Sequence, residues 1–61
     1  MYHIYKNGEE VDKVKYWADV VKYAENEGFS RRYDCRQSDT NHWYFININL
    51  NKAIEVKFKD E

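Results

Sequence analysis

The residues in this chain best suited to covalent or acid–base chemistry are the thiol of Cys35 and the imidazoles of His3 and His42. A nucleophilic cysteine needs a base within hydrogen-bond reach and a third group to orient that base. His42 adjoins the run Trp43–Leu50 and Cys35 lies in the run before it, so a Cys35–His42 pair can be drawn. No third group follows from the spacing, and free cysteines are among the most buried residue types, so an inert buried thiol is expected. A structural metal needs clustered Cys and His, whereas His3, Cys35 and His42 stand far apart. No metal and no cofactor are expected. Glu9, Glu10, Asp12, Asp19, Glu25 and Glu27 fall on a turn or a hydrated helix face. Gly8 and Gly28 each have a turn to make, which leaves no glycine-rich phosphate loop. Catalysis is therefore not expected.

The elements that must carry these groups are legible from periodicity. Trp43–Leu50 is the longest alternating run, with Tyr44, Ile46, Ile48 and Leu50 on one face and Trp43, Phe45, Asn47 and Asn49 on the other. It reads as the central strand with the first set facing the core. Tyr2–Lys6 alternates as well, and Asn7-Gly8 after it is a strong hairpin signal, because a type I′ turn needs two residues that tolerate positive φ. The return strand runs from Glu9 to about Lys13, although Val11 and Val14 at a spacing of three also fit a helix start. A helix follows, with Val14, Trp17, Ala18, Val21 and Ala24 as its apolar stripe. Gly28 stops it at C′, and Phe29 at C″ folds back onto Ala24. Arg32–Gln37 reads as a strand with Tyr33 and Cys35 inward, Ser38–Asn41 as a loop, and Asn51-Lys52 as a tight turn. Ala53–Lys59 is a last strand with Ile54, Val56 and Phe58 inward, and Asp60-Glu61 is a polar tail. The expected fold is one α+β domain over residues 1–61: a two-layer β(β)αβββ antiparallel sheet with one helix packed on one face.

Composition narrows the function classes. Aromatics at 18% supply the large side chains that so short a chain needs to bury enough area. A net charge of −1 gives no general reason to expect nucleic acid or an anionic membrane as partner, and no run reaches membrane-spanning length. One cysteine permits no internal disulfide, which fits a reducing cytoplasm. Abundant Asn, Lys, Ile, Tyr and Glu with no Pro points to an AT-rich bacterial or phage genome.

Two surfaces stand out as binding candidates. The alternation places His3, Tyr5, Trp43 and Phe45 on the sheet face away from the helix. Tyr16, Val20 and Tyr23 form a stripe on the helix face opposite its core stripe. Exposed aromatics are common interface anchors, so a cytoplasmic protein-interaction module, contacting a partner protein or a second copy of itself, is the first expectation. The alternative is a single-stranded nucleic-acid platform in which Arg32, Arg36, Lys57 and Lys59 flank the outer-face rings, since bases stack on aromatics and phosphates pair with cations.

The run from Val20 to Asn49 (a helix, Gly28-Phe29, a strand, a polar turn, His42 and two further strands) resembles the HicA-type mRNA interferase toxins. That resemblance implies a double-stranded-RNA-binding type of fold with His42 as the catalytic residue of a ribonuclease. Here Thr40-Asn41 precedes His42 where the family has Gly-Ser, an extra strand precedes the helix, and the family's strongly basic character and C-terminal helix are missing. Membership is not assigned on it.

Overall fold

Residues 1–60 are described by a computed structural model. Strands β1 (Tyr2–Lys6) and β2 (Glu9–Val14) precede helix α1 (Trp17–Asn26), a single helical turn α2 (Arg31–Asp34), and strands β3 (Cys35–Asp39), β4 (His42–Asn47) and β5 (Lys52–Phe58). The five strands form one antiparallel sheet in the order β2-β1-β5-β4-β3. The two-layer α+β architecture read from the sequence is the one observed. Its middle strand is β5 rather than β4, because the N-terminal hairpin docks on β5 through the pairing of Ile4 with Val56. Of the expected polar tail, Asp60 lies outside any regular element, and Glu61 falls outside the described residues.

Local chemistry explains the two sharpest reversals of the chain. Asn7 at φ 56° and Gly8 at φ 84° make the β1–β2 turn, so Glu9–Val14 is strand throughout. Gly28 at φ 95° ends α1: its N–H donates to the Glu25 carbonyl and the Phe29 N–H to the Ala24 carbonyl, closing a Schellman motif. Phe29 is thereby turned into the core, as expected.

The core lies between α1 and one face of the sheet: Ile4, Val20, Ala24, Phe29, Phe45, Ile54 and Val56 are buried, with Tyr2, Val14, Trp17, Tyr23, Cys35 and Trp43 packed against them. The inward-facing set of β5 is as expected from its alternation. Three other expectations are corrected. In β4 it is Trp43 and Phe45 that face the helix, with Phe45 0% exposed, while Tyr44 and Ile46 face away. The strand ends at Asn47, so Ile48 and Leu50 belong to a turn, and Ile48 is 87% exposed. In α1 the core face runs through Trp17, Val20, Tyr23 and Ala24. Val20 is fully buried and Ala18 exposed, so of the expected partner stripe only Tyr16, 62% exposed, is a surface residue. Finally, Arg31–Asp34 is helical rather than strand, which leaves Tyr33 outside at 67% exposure.

Ile48 makes no part of the core, so Ile48→Asn is expected to leave the unfolding free energy from urea titration within about 0.5 kcal/mol of wild type. A larger loss would mean that the β4–β5 turn is packed rather than open.

Candidate functional site

The strand registers sort every candidate side chain onto one of two sheet faces. On the face away from α1, one row runs Lys13, His3, Lys57, His42 across β2, β1, β5 and β4, and the next runs Glu10, Tyr5, Glu55, Tyr44, Arg36 across all five strands. Each histidine is held by a carboxylate of the second row: His3 Nδ1 lies 2.6 Å from Glu10 Oε1, and His42 Nε2 shares a hydrogen bond with Glu55. His3 is only 6% exposed, and Lys57 and Lys59 both sit over the Tyr5 ring, with Lys59 Nζ donating to the Tyr5 hydroxyl at 3.0 Å. The aromatic rings on this face are thus already covered by cations or paired with a neighbour, as His42 is with Tyr44 at 4.7 Å. Of the residues expected on this face, Tyr5 and His3 are present. Trp43 and Phe45 are on the other.

Opposed charges shift several groups here. The hydrogen bond from His3 holds Glu10 below the usual carboxylate value of 4.5, and the Lys6 ammonium does the same for Glu27 across the β1–α1 gap. Burial alone would raise Glu55, but bonds from His42 and Tyr44 and the charge of Lys57 outweigh it, and the net shift is downward. A carboxylate depressed in the fold contributes stability that is fully present above its unfolded value and lost as pH falls through its folded one. The urea midpoint should therefore decline as pH drops below 4.5. Glu27→Gln should blunt that decline, and an acid profile identical to wild type would show that the Lys6 pair is not its source.

On the helix side the sheet is covered unevenly. Helix α1 runs nearest β1 and β2, and the turn α2 nearest β4. Between them an open cleft of about 1280 Å³ remains over β4 and β3. Its floor is Trp43, Cys35, Gln37 and Asn47, one wall is Trp17, Val21 and Glu25 of α1, and its far end is Arg31 and Arg32 of α2. Trp17 and Trp43 meet at 4.9 Å, and Tyr2 touches both at 5.5 and 5.8 Å. These three rings are neither buried nor free: each packs on the core by one side and lines the cleft by another. Asn47 anchors the floor, accepting from the Leu50 N–H at 3.1 Å and donating to Asp34 at 3.4 Å. Asp34 in turn accepts from the Ser30 N–H at 2.6 Å, which fixes α2 against β4.

Cys35 lies in this cleft, half-buried, and burial pushes its thiol pKa up while the positive charges of Arg31 and Arg36 work against that rise. His42 faces the opposite side of the sheet, so the two do not form a nucleophile–base pair. Among the described residues no group of three or more His, Cys, Asp or Glu could hold a metal ion. The residues of the nucleic-acid alternative are divided between faces: Arg32 borders the cleft, while Arg36 and Lys57 lie in the rows on the far side.

The cleft was legible in the sequence only in part. Trp43 stands among the sequence's binding candidates, but for the sheet face away from the helix, while Trp17 reads as core and Arg31 carries no role. The reason is that a residue half in the core and half in a cleft carries the same apolar periodicity as one wholly buried. No known protein family, curated protein or solved structure matches this chain. No helix among the described residues is long and apolar enough to cross a membrane.

Proposed function

We propose that this protein is a protein-interaction module, cytoplasmic and encoded by a bacterium, phage or mobile element, whose site is the cleft between α1 and β3–β4. The observation that carries the reading is the placement of Tyr2, Trp17 and Trp43 side by side, partly buried, along an open cleft. Tryptophan and tyrosine are the side chains that most often dominate binding energy, because they bury much area with few rotatable bonds. The size and openness of the cleft support a macromolecular segment over a small molecule, whose pockets are typically about 300–1,000 Å³ and more enclosed. The lone thiol fits a reducing compartment. An exposed Tyr16 is a second contact at the start of α1. The far sheet face supports nucleic-acid binding less well, since its rings are occupied by lysines and its cations are matched by Glu10 and Glu55.

Peptides selected from a random display library against the full chain test this reading. Gln37 is exposed at the cleft floor, so Gln37→Trp should fill the site without disturbing the core. It is expected to weaken the selected peptides by about thirtyfold, the scale of a lost hot spot of about 2 kcal/mol. Unchanged affinity in that variant, with Tyr5→Ala weakening binding instead, would move the site to the other face.

A further inference from the structure

Resting on that reading, we infer the chemistry of the segment: an extended stretch of a partner protein in which an acidic residue adjoins an apolar or aromatic one. The carboxylate would lie on Arg31 and Arg32, and the apolar side chain on Trp17 and Trp43. The two ends of the cleft differ in chemistry, and this difference carries the inference. One end is the aromatic trio. The other is α2, whose two arginines are exposed and make no ion pair among the described residues, where the three pairs found involve His3, Lys6 and His42. Arg32 rests on the Tyr33 ring at 5.6 Å. Guanidinium is planar, weakly hydrated and shaped to take a carboxylate through two parallel hydrogen bonds.

The two acids lining the cleft, Asp34 and Glu25, form no ion pair with these arginines. Asp34 is engaged by Ser30 and Asn47, and Glu25 is on the α1 wall without a pair of its own. The charge of Arg31 also reaches the floor, where it acts on the Cys35 thiol. A single nucleic-acid strand would welcome the same arginines. It also needs a track of cations, and Lys13, Arg36, Lys57 and Lys59 lie on or border the opposite face. An acidic segment needs only the one arginine pair. An extended form suits the cleft because edge strand β3, which contributes Cys35 and Gln37, gives it a straight border.

Both tryptophans of the chain line the cleft, so intrinsic fluorescence reports its occupancy without a label. The test is selection from a random peptide display library against the wild-type chain and against the exposed double variant Arg31→Glu with Arg32→Glu. Circular dichroism confirms that the variant folds. The expected result is enrichment of Asp or Glu beside an aromatic or aliphatic residue, with wild-type peptides shifting tryptophan emission and losing about tenfold in affinity for the variant. Peptides that shift the emission but carry no acidic bias and bind both proteins equally would overturn the inference and leave the cleft reading standing. Peptides that bind without touching the emission would overturn both. A mixed single-stranded oligonucleotide that displaces the peptides would likewise overturn both, whereas emission that changes with protein concentration alone, the mark of a second copy in the cleft, would overturn the inferred segment and leave the cleft reading standing.

Discussion

Phe45→Ala is expected to leave this protein unfolded, or nearly so, at room temperature. Phe45 is fully buried, packs against Phe29 at 6.2 Å and Trp17 at 6.1 Å, and pairs in register with Ile54 and Cys35. It is the largest side chain that the core encloses completely. Removing a buried phenylalanine costs about 3–5 kcal/mol through lost transfer energy and the cavity left behind. At about 0.05–0.15 kcal/mol per residue, a chain of this length has only about 3–9 kcal/mol to lose. Urea denaturation followed by tryptophan emission checks it. The neighbour Tyr44, half-buried on the other face, is the control: Tyr44→Ala should be milder. If Tyr44→Ala were the more damaging of the two, the faces of β4 would be exchanged.

Val20→Asp is expected to be at least as severe. Val20 sits at the centre of the α1 core face with no accessible surface, among Ile4, Val56 and Ala24. A carboxylate there has no partner and must either be buried charged or take up a proton, a cost of several kcal/mol in either case. The same substitution one residue earlier, at the exposed Asp19, is already the natural residue, and Tyr16→Ala at the helix N-cap should change stability by no more than about 0.5 kcal/mol. A folded Val20→Asp protein with a normal thermal transition would mean that α1 presents a different face to the sheet.

These two positions also mark where reading the chain alone falls short. Both were assigned to the outside, and for one physical reason: periodicity gives the period of an element and not its phase. In β4 the apolar residues occupy both faces, and Ile48 and Leu50 tip the balance only if the strand is allowed to run past Asn47. Asn47 ends it because its side chain bonds the Leu50 N–H and Asp34, and these are tertiary facts. In α1, Val20 and Val21 are adjacent, so a rotation of one residue, about 100° around the helix, moves the core from one to the other. Where a local rule has a single solution, the chain is legible. Gly28-Phe29 can only be the helix stop, and β5 has charged residues at every outward position between Ile54 and Phe58, whereas Asn7-Gly8 favours the hairpin only narrowly over the helix start that Val11 and Val14 also fit. The cleft is the least legible feature, since it exists through what α1 leaves uncovered and not through any motif.

The same reasoning separates the two faces of the sheet in function. The outer rows hold two histidine–carboxylate pairs and one tyrosine, Tyr5, covered by two lysines, a surface whose polar groups already satisfy one another. The cleft side holds three rings with accessible area and two arginines without carboxylate partners. A binding surface is recognised by what remains unsatisfied, and that is on the side of α1.

The most direct test of this account is a heteronuclear NMR titration of the full chain with a library-selected peptide. The account predicts that the indole N–H signals of Trp17 and Trp43 and the amides of Arg31–Gln37 shift together, while Tyr5, Tyr44 and Lys57 stay in place. Shifts confined to Tyr5, Tyr44 and Lys57, with both indoles unmoved, would contradict it.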